Sequence, residues 1–159
     1  MGNIKLKNIK TLRFENRSPH PDPQYENETD SGFDIRAWLG DFEIPLKPLE
    51  RFLIHTGLYF ELPDNTVLQI RPRSGMAMKR GLSVLNTPGT VDGGYRGEVC
   101  VIAVNLSDEE ITIKDGERIA QGVLCPVFQG GLVRMENIDG HVNTDTDRGS
   151  GGFGSTGTE

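Results

Sequence analysis

Glycine and proline interrupt this chain at short intervals, and that feature limits its fold more than any other. The 159 residues include 20 glycines and 9 prolines, and the segments between them are short and rich in β-branched residues. Such segments favour strands, because a branched side chain packs well on a pleated surface. No stretch carries apolar residues at helical spacing for three turns. The sequence therefore predicts an all-β chain with a single core domain.

Eight segments have the pattern of strands and one has the pattern of a short helix. The predicted strands span residues 4–10, 13–16, 34–38, 51–62, 66–72, 96–106, 110–114 and 119–128. In the fifth of these, Leu68 and Ile70 point to one face and Gln69 points to the other. The predicted helix spans residues 74–80, with Ser74 as a candidate N-cap.

The run from residue 99 to residue 104 is apolar on both of its faces. A strand without a polar face has to be covered on both sides. We therefore expect the opposite sheet to cover one side and another subunit to cover the second.

Charge and cysteine usage exclude several classes of protein. A formal net charge of -6 argues against a broad nucleic-acid-binding face, although a small anion in a local pocket stays compatible with it. Cys100 and Cys125 lie in apolar runs without metal-site spacing, so we expect reduced core thiols in a cytoplasmic protein. No segment has the pattern of a membrane span or a secretion signal.

The segment around residues 70–80 concentrates positive charge in an acidic chain. Four cations fall within ten residues, and Arg73 is followed directly by Ser74 and Gly75. A hydroxyl and free N–H groups at a helix start commonly hold a phosphate. A solvated basic turn with a capping serine is an equally good interpretation of this segment alone.

Residues 86–98 have the pattern of a β-hairpin, with turns at the proline-glycine and glycine-glycine pairs. The segment carries an amide at Asn86, a carboxylate at Asp92 and an aromatic ring at Tyr95. Together these groups offer hydrogen bonds, a charge and a stacking surface to a base-like ligand. On its own, Asp92 is more typical of an ordinary turn residue.

Two further polar residues stand in strand segments. Gln121 interrupts an apolar strand and needs a hydrogen-bond partner there. Asp34 enters a strand shortly after Gly32. Each signal is weak when it is taken alone.

The last dozen residues are rich in glycine and resemble a phosphate-binding loop without being one. Gly149, Gly154 and Thr156 fit the Walker spacing, but Ser155 occupies the position of the lysine. Arg148 offers a forked contact to a phosphate, and Phe153 in the same segment offers an aromatic ring for stacking on a ligand. A disordered Gly/Ser tail is the plainer interpretation. The expected organisation is an all-β domain at 1–129, which the resemblance described next implies to be a β-barrel, a polar linker at 130–147 and an arm at 148–159.

Taken together and in this order, the motifs resemble those of the homotrimeric dUTPase family. The five matching stretches are SGFDIRA, RPRSGMA, NTPGTVDGGYRGEV, GERIAQ and RGSGGFGSTG, and they span roughly residue 25 to the C-terminus. Ser31 stands where the family usually has alanine, and Gly94 stands where an acidic residue commonly precedes the tyrosine. These departures bear on the detail of the hairpin rather than on the chemistry.

The resemblance implies a distorted jelly-roll β-barrel that forms a homotrimer with shared active sites. It implies hydrolysis of dUTP to dUMP and pyrophosphate, which limits uracil incorporation into DNA and supplies dUMP for dTMP synthesis. Asp92 would be the catalytic base that deprotonates a water for attack on the α-phosphorus. The implied substrate-binding residues are Arg73, Ser74, Gly75, Asn86, Gly89, Val91, Tyr95, Gln121, Arg148, Phe153, Gly154 and Ser155.

The resemblance also implies one Mg2+ held by the substrate phosphates, with Asp34 reaching it through water. Arg118 is expected to be structural, as the partner of a carboxylate. Two alternatives stay open from the sequence. One is a dCTP deaminase of the same superfamily, and the other is a non-catalytic trimer that binds nucleotide and signals to a regulatory protein partner.

Overall fold

A computed structural model describes residues 10–134 and Thr146 of the chain. The chain divides into two units, Met1–Phe128 and Gln129–Glu159. The described part of the first unit contains ten strands and one helix. They are β1 (Arg13–Asn16), β2 (Phe33–Arg36), β3 (Ile44–Leu46), β4 (Arg51–Glu61), β5 (Thr66–Pro72), α1 (Ser74–Arg80), β6 (Leu82–Val84), β7 (Gly89–Val91), β8 (Val99–Asn105), β9 (Ile111–Ile113) and β10 (Arg118–Pro126).

The strands form three antiparallel sheets around one apolar core. Two sheets have four strands each, in the orders β1-β4-β8-β6 and β2-β10-β5-β7, and the third pairs β3 with β9. The largest side chains that are fully buried include Ile35, Leu46, Ile54, Leu68 and Ile113. The prediction of an all-β, jelly-roll-like fold with one short helix is confirmed. Within residues 10–134 and Thr146, no helix is long and apolar enough to cross a bilayer.

Most of the predicted elements agree with the structure to within a few residues. β1, β5 and α1 have the predicted bounds, and β4 ends one residue early. Leu68 and Ile70 are buried while Gln69 between them is partly exposed, so the predicted alternation is confirmed. The predicted strand at 4–10 lies almost wholly outside the described residues. The expected Ser74 cap is wrong, because Arg73 is the N-cap residue and no side chain caps the helix.

The predicted hairpin at residues 86–98 is wrong in its pairing. β7 pairs with β5 in one sheet, whereas β6 and β8 pair with each other in another. The segment therefore crosses from one sheet to the other instead of folding back on itself. The peptide bond between Thr87 and Pro88 is cis.

The outer face of β8 is only partly covered within one chain. Cys100 and Ile102 are partly exposed, whereas the alternate residues of β8 are buried. Beside them, Leu53 is 50% exposed and Leu85 is 48% exposed. We call these four residues the β8 strip. The expectation of core thiols is corrected here, because both cysteines are free but only partly buried.

Asp115, between β9 and β10, fastens the connection that follows β2. Its carboxylate accepts hydrogen bonds from the N–H groups of Leu39, at 2.6 Å, and Gly40, at 3.1 Å, and it lies 3.1 Å from a ring nitrogen of His20. Burial alone would raise the pKa of Asp115. These hydrogen bonds outweigh that effect and lower the pKa below its ordinary value of 3.8.

Candidate active site

A polar cavity of about 370 Å³ lies where β2, β10 and the start of α1 meet. Its lining combines hydroxyl, amide, guanidinium and carboxylate groups. The lining residues are Glu26, Asp30, Ser31, Gly32, Asp34, Arg73, Ser74, Gly75, Arg118 and Gln121. We call it the guanidinium cavity. The structure thus brings together four of the predicted phosphate-binding residues, which come from segments far apart in the sequence.

Arg73 is held in a fixed orientation by Asp34. Its Nε lies 2.6 Å from Asp34 Oδ1, its second terminal nitrogen lies 3.3 Å from Oδ2, and its Nη1 donates to the carbonyl of Arg118. Arg118 itself donates to Asp34 Oδ2 at 3.0 Å and lies 3.5 Å from Glu26. Arg118 therefore has the carboxylate partner that was expected of it. Asp34 therefore contacts two guanidinium groups at the cavity wall, and its single negative charge neutralises only one of them.

Gln121 lines the same cavity because β10 passes between β2 and β5. Its Nε2 donates to the carbonyl of Pro72 at 2.9 Å, which supplies the partner that the sequence required. Gly32 makes this placement possible, since a Cβ at that position would lie 2.7 Å from Gln121 Oε1. The glycine of the first motif is thus explained by close packing.

The four cations of residues 71–80 do not act as one cluster. Arg71 contacts Gln69, and Arg80 forms an ion pair with Glu117. Of the four cations, the guanidinium cavity is lined by Arg73 alone. The local charge density of the sequence therefore overstates the positive charge of the site.

A second cavity, of about 330 Å³, lies between β7 and β8. Its lining is more apolar and, within residues 10–134, contains no lysine or arginine. The lining residues are Leu53, Asn86, Thr90, Val91, Asp92, Tyr95, Glu98, Val99, Cys100 and Ile102. We call it the Asp92 cavity. Gly89 is buried beside it, and a Cβ there would lie 3.4 Å from Asn86 Nδ2.

Asp92 and Tyr95 are positioned by a tight turn. The N–H of Tyr95 donates to the carbonyl of Asp92 at 3.0 Å, and the Tyr95 hydroxyl donates to the carbonyl of Glu98 at 2.9 Å. The ring lies on the backbone of Gly97, where a Cβ would be 2.6 Å from Tyr95 Cζ. Asp92 is exposed, and among the described residues no donor is hydrogen-bonded to its carboxylate.

Glu98 anchors this segment to β4. The pairing of β4 with β8 shifts register between Ile54 and Leu58, and one carboxylate oxygen of Glu98 accepts the N–H groups of Thr56, at 3.0 Å, and Gly57, at 2.8 Å. Burial alone would raise the pKa of Glu98. These hydrogen bonds, together with one to His55, outweigh burial and lower the pKa of Glu98.

Among the described residues of one chain, the two cavities share no lining residue. Residues predicted for one site therefore form two groups, with Arg73, Ser74, Gly75 and Gln121 in one cavity and Asn86, Val91, Asp92 and Tyr95 in the other. Of the other predicted residues, Gly89 lines neither cavity, and Arg148, Phe153, Gly154 and Ser155 lie outside the described residues.

Sequence reasoning missed several residues that line the cavities. Glu26 and Asp30 border the guanidinium cavity, and Leu53, Glu98 and Cys100 border the Asp92 cavity. A signal existed for Glu98, because it is a charged residue inside the third motif. None existed for Leu53, because it reaches the cavity only through strand pairing.

The fold and the two cavities define an all-β protein with one polar cavity lined by guanidinium groups and one more apolar cavity lined by carboxylates. Comparisons with known proteins identify its family. The dUTPase family model matches residues 18–157. The curated deoxyuridine 5'-triphosphate nucleotidohydrolase of Bdellovibrio bacteriovorus is 51% identical over 150 residues, covering 94% of this chain and 95% of the relative. That of Caulobacter vibrioides is 47% identical over 150 residues and covers 94% of each.

This chain therefore belongs to the dUTPase family. The family resemblance predicted from the motifs is confirmed. Among solved structures, a point mutant of the Staphylococcus bacteriophage 80alpha dUTPase with dUpNHpp has a TM-score of 0.76. It is 26% identical, and the match covers 94% of this chain and 99% of the phage chain.

Proposed function

We propose that the protein hydrolyses dUTP to dUMP and pyrophosphate, with Asp92 as the catalytic base. In this mechanism the Asp92 carboxylate orients a water and accepts its proton as the water attacks the α-phosphorus. The observation that carries the proposal is the exposed Asp92 carboxylate, which has no hydrogen-bond donor among residues 10–134 and lines one cavity with Asn86 and Tyr95. The product would supply dTMP synthesis, and removal of dUTP would limit uracil in DNA.

The Asp92 cavity would hold the deoxyuridine part of the substrate. The Tyr95 ring, fixed over Gly97, would pack against the sugar face and leave no space for a 2′-hydroxyl group. Backbone groups near Gly89 and Val91, with the amide of Asn86, would hydrogen-bond the uracil edge. A cytosine amino group would leave buried polar groups unpaired, which is a strong basis for rejection.

The guanidinium cavity would hold the phosphates. Arg73 offers a forked contact, and Ser74, Gly75 and Gln121 add a hydroxyl, an N–H group and an amide. Both oxygens of Asp34 accept hydrogen bonds from guanidinium groups, so this carboxylate does not fit a direct metal ligand. Mg2+ would instead be held by phosphate oxygens, with Asp34 in reach through water, and would neutralise phosphate charge.

A structural Mg(II) ion is described for a mutant dUTPase of S. aureus phage phi11, which shares the fold at 22% identity and a TM-score of 0.70. For this chain, the support for Mg2+ is the charge of the substrate triphosphate itself.

We also propose that a complete site combines more than one protomer of a homotrimer. Within one chain the base-binding and phosphate-binding groups line different cavities, and the apolar β8 strip is exposed. A symmetric assembly would cover the strip and bring the cavity of one protomer to that of its neighbour. Arg148, Phe153, Gly154 and Ser155 would close over the bound nucleotide.

Asp92→Asn tests the assignment of the base. We expect turnover of dUTP to fall by orders of magnitude while nucleotide affinity stays nearly unchanged, because the substitution removes the base and little binding surface. Pyrophosphate release would be measured with dUTP, dCTP, dTTP and UTP in Mg2+. Asp108→Asn, an exposed carboxylate outside both cavities, is the matched control. Near-normal turnover of Asp92→Asn would exclude the role, and ammonia from dCTP would identify a deaminase.

Mixed assemblies test the shared site. Chains with Asp92→Asn and chains that end at residue 147 should each be inactive alone. After joint refolding in equal amounts, roughly one site in four would receive both intact parts, so about a quarter of the parental activity should return. If no activity returns, the site is made within one chain.

A further inference from the structure

His55, Glu98 and Cys100 form a cluster that the proposed hydrolysis does not use. His55 lies on β4, Glu98 precedes β8 and Cys100 lies on β8 opposite the irregular part of β4. One possible ligand atom from each residue lies within 4.8 Å of the other two. Nitrogen, oxygen and sulfur donors thus meet at one point of the sheet.

We infer that this cluster binds a borderline-soft divalent cation, with Zn2+ as the natural ligand class. A set of imidazole, carboxylate and thiolate is typical of zinc, whereas Mg2+ prefers oxygen donors alone. The site is therefore different in chemistry from the phosphate-bound Mg2+ proposed above. It also does not depend on the role of Asp92.

The distances are close to those of a tetrahedral ion. His55 Nδ1 lies 2.8 Å from Glu98 Oε2 and 3.7 Å from Cys100 Sγ. Tetrahedral zinc bonds of ordinary length place a nitrogen and an oxygen ligand about 3.3 Å apart and a nitrogen and a sulfur ligand about 3.5 Å apart. His55 and Glu98 would have to separate by roughly 0.5 Å, and Cys100 Sγ would have to approach His55 by roughly 0.2 Å.

Glu98 is preorganised for this role. Its Oε1 is held by the N–H groups of Thr56 and Gly57, which leaves Oε2 directed at His55. The side chain of His55 is 60% exposed within one chain, so a cation can reach the imidazole from solvent. Cys100 belongs to the β8 strip, so the proposed homotrimer would cover the sulfur side of the cluster.

The local charge favours a cation. In the described part of the chain, the lining of the Asp92 cavity, which includes Glu98 and Cys100, carries two carboxylates and no lysine or arginine. Without a metal, burial and the charge of Glu98 raise the pKa of the Cys100 thiol to about 11. A bound cation would stabilise the thiolate, and the thiol proton would pass to solvent. A neutral imidazole with two anionic ligands balances the charge of Zn2+.

Co2+ titration of the metal-free full-length protein tests the inference, since thiolate ligation of Co2+ gives a charge-transfer band in the near ultraviolet. We expect one Co2+ per chain, displacement by Zn2+, and loss of the band in Cys100→Ser. Cys125→Ser is the matched control and should keep the band. Circular dichroism would establish that each variant is folded.

His55→Gln tests the nitrogen ligand separately, and its affinity for Zn2+ in calorimetry should fall by at least about tenfold. The inference is overturned if the parental protein shows no charge-transfer band, or if the band follows Cys125 rather than Cys100. Unchanged Zn2+ affinity in a folded His55→Gln variant would also overturn it.

Discussion

Replacing Arg73 with lysine separates the geometry of the guanidinium cavity from its charge. The substitution keeps the positive charge but replaces a planar fork with a single ammonium group. Arg73 makes three contacts, two with Asp34 and one with the carbonyl of Arg118. A lysine at this position can keep one of the three.

The expected cost follows from those contacts. A hydrogen bond to a charged group contributes about 1.5–3 kcal/mol when buried, and an exposed ion pair contributes about 0.2–1 kcal/mol. The side chains of Arg73 and Asp34 are 26% and 21% exposed, which places them between these limits. Losing two contacts should therefore destabilise the fold by about 1–2 kcal/mol.

The loss in catalysis should be similar or larger, because the forked phosphate contact is lost as well. We expect kcat/KM for dUTP to fall about 10- to 100-fold, which corresponds to about 1.4–2.7 kcal/mol. Arg71→Lys is a matched control two residues away. Arg71 is exposed and contacts Gln69 outside the cavity, so kcat/KM should stay within about twofold of the parent.

Steady-state pyrophosphate release and urea unfolding of the two variants provide the measurements. An Arg73→Lys protein with parental kcat/KM would refute the argument, because charge alone would then be sufficient. An equal loss in Arg71→Lys would refute it differently, by showing that the effect is not confined to the cavity.

Two further predictions concern the turn beside Asp92 and the hydrogen bonds that the Asp115 carboxylate accepts. Gly97→Ala should displace the Tyr95 ring and lower kcat/KM at least about tenfold. Gly94→Ala is the control, because a Cβ there meets nothing within 4 Å, and it should leave kcat/KM unchanged in the same assay. Asp115→Asn should cost about 1–2 kcal/mol in urea unfolding at pH 7, with Asp41→Asn near neutral. Because the folded pKa of Asp115 is lowered, its contribution is complete above pH 3.8 and is lost as the pH falls through the folded pKa. A gap between parent and Asp115→Asn that stays constant down to the acid transition would contradict this.

The sequence predicted the long strands well because their residues carry strong local signals. β5 alternates buried and exposed residues, and α1 lies between a proline and a glycine. Three of the four three-residue strands, β3, β6 and β7, were missed because so few residues show little of a period; β9 is the exception, since Ile111 and Ile113 flank a polar residue. Their pairing partners lie far away in the sequence, and no local pattern can report them.

The candidate site was predicted by residue type but not by arrangement. The motifs indicated Arg73, Asp92 and Gln121, and the structure assigns them to two cavities. Arg80 is held away from the site by Glu117, 37 positions later in the sequence, and Arg73 is fixed by Asp34, 39 positions earlier. Sequence spacing cannot reveal ion pairs over such separations. Gly32 and Gly97 have to be glycines because a Cβ at either position would collide with a neighbouring side chain. The sequence does not show those neighbours.

The hydrogen bonds between Glu98 and the N–H groups of Thr56 and Gly57 have a consequence for how such a protein can evolve. They attach the segment between Val91 and Glu98 to β4 at its last residue, while most of the segment lies on the surface. A change in this segment can therefore move Asp92 or Tyr95 without loosening the sheets, so ligand handling and stability can change independently. Natural variation should then be tolerated at exposed positions such as Gly94, whereas the Glu98 carboxylate should resist replacement.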